Sequence, residues 1–106
     1  MADGPALNPE VDLLAKMRSE IELLARHIEV ARAVDQHQPI GILKLSDLLH
    51  EPVHRVRYSL HVLEAQGYIE ASPAGAVATP RTARLLAELD AEIDDLVALL
   101  ESIRPA

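Results

Sequence analysis

Residues 49–55 read Leu-His-Glu-Pro-Val-His-Arg, and His50 to His54 within them fit the pattern H-E-x-x-H. In zinc proteases that pattern places two histidines one turn apart on a continuous helix, with the glutamate beside the bound water. Here Pro52 stands between the two histidines. A proline inside a helix removes a backbone hydrogen bond and clashes one turn back, costing ~3 kcal/mol or more. Pro52 therefore predicts a break: His50 ends one helix and His54 lies in the first turn of the next. The segment reads as a turn between two helices, not a metal site.

The residues on either side follow from that turn. Ser46 is expected to cap a short helix over 47–50, with Asp47 favourable at its positive end. After Pro52, the apolar residues Val53, Val56, Leu60 and Leu63 fall on one stripe, predicting a helix over 52–66. Gly67 follows as its C-terminal stop. Upstream, Ile40 to Leu45 is short and apolar and suits a lead-in strand. Downstream, 68–71 and 77–79 flank Ser72-Pro-Ala-Gly-Ala76, which predicts a small hairpin around a Pro/Gly turn.

Two long helices enclose this middle. Asn8-Pro9-Glu10 combines a cap, a proline at the first helical position and an acid in the first turn. Apolar residues then recur at Leu14, Met17, Ile21, Leu24, Ile28 and Ala31, the alternating three- and four-residue steps of a heptad seam. A helix over 9 to about 35 is expected, closed by Gln36-His37-Gln38-Pro39. Thr79-Pro80 repeats the start signal. Leu86, Leu89, Ile93, Leu96, Leu100 and Ile103 repeat the seam. The seams could pack within one chain, but a module of about forty residues cannot cover two stripes of this length. They are therefore expected to form a homodimer interface.

The segment Leu45 to Glu70, LSDLLHEPVHRVRYSLHVLEAQGYIE, with the hairpin after it, resembles the winged helix-turn-helix of ArsR- and MarR-type regulators. The likeness spans about residues 39–79 and is closest from Val56 to Ile69. The overall plan is similar to small archaeal winged-helix regulators that dimerise through terminal helices. The resemblance implies a mainly α fold: a winged helix-turn-helix over 39–79, a dimerisation helix over 9–38, another over 80–106, and a disordered tail over 1–8. It also implies that the helix from Pro52 to Gln66 enters the major groove of double-stranded DNA, in a sequence-specific transcription regulator.

At 100° per residue, the side of that helix opposite its apolar stripe presents His54, Arg55, Tyr58, His61 and Val62, with Arg57 at the border. Candidate phosphate contacts are Lys44, Ser46 at its helix start, and Arg81 and Arg84 beyond the hairpin. Each has a plainer reading. Arg55 and Arg57 could be solvated or paired with Glu51 and Glu64. Tyr58 could cover a neighbouring helix. Tyr68 is expected in the core, and His27 and His37 in solvent. The hairpin loop carries no Lys or Arg, unlike wings that read a minor groove.

Composition bounds the alternatives. The 106 residues carry a formal charge of −7, unpromising for a nucleic-acid binder as a whole. The charge is uneven: residues 40–84 hold five basic and four acidic groups, whereas 85–106 hold one basic and six acidic. There is no Cys, Phe or Trp, so the core must be aliphatic and thiolate chemistry is excluded. No nucleophile–base pair or glycine-rich phosphate loop stands out, and neither an enzyme nor a cofactor is expected. The first residues lack the features of a signal peptide and no run is long enough to span a bilayer, so a cytoplasmic protein is expected. The alternatives to a sequence-specific regulator are a winged helix used for protein–protein assembly and a nucleoid-associated protein that coats DNA without selectivity.

Overall fold

The computed structural model describes residues 9–106, with side chains from residue 12 onward. The expected tail over 1–8 and the Asn8 cap lie outside the described residues. In chain order the elements are α1 (Pro9–His37), α2 (Ile42–Leu49), α3 (Val53–Ala65), β1 (Ile69–Ser72), β2 (Gly75–Ala78) and α4 (Pro80–Glu101). The protein is mainly helical, with one small antiparallel hairpin and a long helix at each end. No described helix is long and apolar enough to cross a membrane.

The core is aliphatic. Val30, Ala31, Ala33 and Val34 from the C-terminal part of α1 pack with Ile40, Leu45 of α2, Val56 and Leu63 of α3, and Ile69 of β1. Tyr68, expected in the core, is half-buried against this cluster. Only the last third of α1 enters the core. The rest, from a helix about 43 Å long at 1.5 Å per residue, projects beyond it.

The lead-in strand over 40–45 is not formed. Ile40 alone bridges Ala76, exchanging two backbone bonds of 3.1 and 2.8 Å. From Ile42 onward the chain is helical, so α2 starts five residues before the expected helix. Its apolar residues explain this: Ile42, Leu45 and Leu49 step by three and four and turn one face to the core. Ser46 is consequently a mid-helix residue, not an N-cap.

The break at Pro52 is present. His50 adopts a left-handed conformation (φ 53°, ψ 41°) just past the last residue of α2. The His50 and Glu51 amides bond back to the Asp47 and Ser46 carbonyls, a Schellman ending with histidine where glycine is usual. The Ser46 hydroxyl also donates to the Glu51 carbonyl and ties the turn. His54 then opens α3, so the two histidines sit on separate helices. The described residues contain no group of three or more His, Asp or Glu that could hold a metal ion.

Gly67, at φ 83°, ends α3 in a second Schellman arrangement, with the Gly67 and Tyr68 amides on the Glu64 and Leu63 carbonyls. The hairpin is tighter than expected. Ser72 pairs with Gly75, leaving only Pro73 and Ala74 in the turn. Gly75 has φ 131°, and a Cβ there would lie 2.6–2.8 Å from the backbone of Ile40. Glycine is what lets the hairpin seat on Ile40. The start of α4 is fixed to the end of α3: the Tyr68 carbonyl accepts from the Thr79 amide at 3.0 Å and the buried Thr82 hydroxyl at 2.7 Å, and the Thr79 hydroxyl donates to the Gly67 carbonyl at 2.6 Å.

Candidate nucleic-acid interface

Helix α3 sits between α1 and the hairpin, and its faces are set by what it buries. Val56, Ser59 and Leu63 are fully covered, with Leu60 half-buried. Ser59 was not part of the apolar stripe. Its inclusion rotates the outward face by about 30° at 100° per residue. That face now centres on His54, Tyr58, His61 and Ala65, all exposed.

Ser59 is buried because two side chains of α1 satisfy it. Its hydroxyl lies 2.8 Å from His27 Nδ1 and accepts from Arg26 Nε at 3.3 Å. Burying an unpaired hydroxyl would be costly, so this pair fixes how α1 crosses α3. His27, expected in solvent, is half-buried. Burial, and then the neighbouring Arg26 charge, lower its pKa below the usual histidine value of 6.5. His37 is exposed at the end of α1, as expected. The ring of Tyr58 is 5.9 Å from that of His27, tilted by 40°, while 52% of Tyr58 stays exposed. Tyr58 thus both covers α1 and faces out.

The two arginines of α3 point to opposite sides. Arg57 borders a depression of about 310 Å³ shared with His61, Glu64 and the hairpin. Arg55 lines a cleft of about 540 Å³ against α1, with Glu22, Arg26, Glu29 and Glu51 around it. Among the described residues neither arginine forms an ion pair. Val62 is half-buried on the α1 side, and Lys44 is exposed on α2. Arg81 stacks 4.8 Å from the centre of the Tyr68 ring, beyond the end of α3, and shares a shallow cleft with Arg84 and Glu88.

The seams form a second feature. Ile21, Leu24 and Ile28 of α1 face Leu89, Ile93, Leu96 and Leu100 of α4 across an open apolar trough of about 550 Å³. Leu14 and Met17 continue it on α1. Leu86 and Leu89 are half-buried near the core, and Ile103 lies in the turn past α4. Among the described residues fourteen large apolar side chains are exposed, and eleven of them lie on α1, on α4 and in the turn after it. At roughly 90 Å² for a half-exposed large side chain, the eleven present on the order of 1,000 Å², beyond the few hundred of an ordinary monomer patch. Sequence periodicity identified eight of the eleven but not Leu13, Val97 or Leu99, and only the packing shows that one chain leaves them uncovered.

No protein-family model matches this chain, and no curated protein matches it in sequence.

Proposed function

We propose that the chain is a winged helix-turn-helix transcription regulator that binds duplex DNA as a homodimer, with α3 as the reading helix. The observation that carries this is the outward face of α3. His54, Arg57, Tyr58 and His61 stand exposed beside the hairpin, and no acidic residue of α3 precedes Glu64. Helix, turn and helix followed by a hairpin, with Ile40 bridging Ala76 as a minimal third strand, support the winged reading. A protruding helix of this size suits a major groove about 12 Å wide.

Arg57 is the best-placed arginine for a base edge, and Lys44 for phosphate. Arg55, on the cleft lined by Glu22, Glu29 and Glu51, faces carboxylates of its own chain and is the poorer candidate. Arg81, stacked on Tyr68, reaches at most a flanking phosphate, with Arg84 beside it. A protein partner is the second reading, favoured by the uncharged tip of the hairpin and the acidic rim around Arg55.

Fluorescence anisotropy with random and selected duplexes at two salt concentrations separates the readings. A regulator binds selected sites more tightly than random ones and weakens as salt rises. Equal affinity for every duplex indicates a DNA coater. No binding at low salt favours the protein partner. Arg57→Ala is expected to cost about 1–3 kcal/mol and relax selectivity at one position. Full-strength binding by Arg57→Ala/Tyr58→Ala/His61→Ala would remove α3 as the reader.

A further inference from the structure

We infer that the trough between α1 and α4 is filled by the same two helices of a second copy, with each α1 lying against the partner's α4. This rests on the dimer reading above and adds the arrangement. The C-terminal part of α1 is anchored in the core and the start of α4 is held by the buried Thr82 on the Tyr68 carbonyl, so their exposed halves run side by side along the trough with opposed chain sense. They form an open two-helix layer with one apolar face. A second such layer completes a four-helix bundle. The roughly 1,000 Å² exposed on each copy exceeds the ~800 Å² per partner of a stable interface.

Charge selects between the two ways of joining the layers. At 100° per residue, Asp90, Asp94 and Glu101 flank one side of the α4 stripe and Glu88, Glu92 and Asp95 the other. Any helix beside α4 therefore meets carboxylates. Two α4 helices side by side would set like charges together. The α1 stripe has Lys16 on one side and Arg18 and Arg32 on the other, interleaved with acids. Pairing α1 with the partner's α4 puts the cations Lys16, Arg18 and Arg32 within reach of those carboxylates, whereas α4 beside α4 offers them only like charge.

The chain has no cysteine, so introduced thiols report cleanly. Leu24 and Leu96 are near the middle of the trough, so neighbouring helices bring them together whether the two copies point the same way or opposite ways. Both lie outside the core cluster, so folding tolerates Leu24→Cys and Leu96→Cys. The two variants, carried on differently tagged chains, are mixed and oxidised. A mixed disulfide between Leu24→Cys and Leu96→Cys chains is expected in excess over either like pair, because a disulfide needs Cα atoms within about 7 Å. Like-with-like disulfides in excess over the mixed one would overturn the arrangement and leave the dimer standing. A monomer by light scattering at micromolar concentration would overturn both.

Discussion

Replacing Gly75 by alanine tests whether the hairpin is held by its seat on Ile40. The added Cβ would meet the Ile40 carbonyl carbon, oxygen and amide nitrogen at 2.6, 2.7 and 2.8 Å. All three are backbone atoms, so no side chain can swing aside. Gly75 also sits at φ 131°, where an L-residue is strained by about 1–3 kcal/mol. Relief requires the hairpin to lift from Ile40 and lose the two bonds that Ile40 and Ala76 exchange, each contributing about 0.5–1.5 kcal/mol. The combined loss is about 2–6 kcal/mol, against a total stability of roughly 5–15 for a domain. For a chain of this size that lowers Tm by at least about 8 °C. Gly41→Ala is the control, since nothing lies within 4 Å of a Cβ there; its Tm should move little. Thermal unfolding followed by circular dichroism reads both. If Gly75→Ala melts with the wild type, the hairpin is not seated on Ile40 and the third-strand bridge is unimportant.

His50→Gly removes a side chain from a left-handed position and is expected to raise stability by about 0.5–1 kcal/mol in urea titration; a loss would show that the side chain matters to the turn. His27, with its pKa lowered on folding, favours the native state fully above about pH 6.5. That contribution is lost as pH falls below the unfolded value towards the folded one. Between about pH 7.5 and 5.5 the urea midpoint should therefore fall further for the wild type than for His27→Gln; parallel profiles would refute it. Ile93→Asp puts a charge into the trough and should yield a folded monomer by light scattering, because Ile93 lies outside the core cluster. An unchanged dimer would place the interface elsewhere.

Much of the architecture is legible in local chemistry. Pro52, Gly67 and Thr79-Pro80 mark breaks and starts that need no tertiary information, and all lie at element ends. The errors have two sources. Ile40 to Leu45 is a short apolar run, and periodicity over six residues cannot separate a buried strand from a buried helix. Ile42, Leu45 and Leu49 decide it, but only once Leu49 is counted with them. His27 is expected in solvent and Ser59 has no place in the apolar stripe, because each is polar. What buries them is their mutual bond across thirty-two residues, which no local pattern encodes. That single omission also misdirected the outward face of α3 and separated Arg55 from Arg57 only after the packing was known.

The Gly67 and Tyr68 carbonyls, holding three donors from Thr79 and Thr82 between them, leave no slack between the end of α3 and the helix that follows. A hinge there would let each half of a dimer adjust to its target independently. Instead α3 and α4 turn together, like a key blade and its bow. In a two-fold dimer the distance between the two α3 helices would then be set by how the terminal helices mesh. Such a protein should accept one half-site spacing sharply and tolerate base-pair insertions between half-sites poorly. Thr82→Val removes the one buried donor of the three with little change of shape, and would be expected to broaden the range of spacings bound.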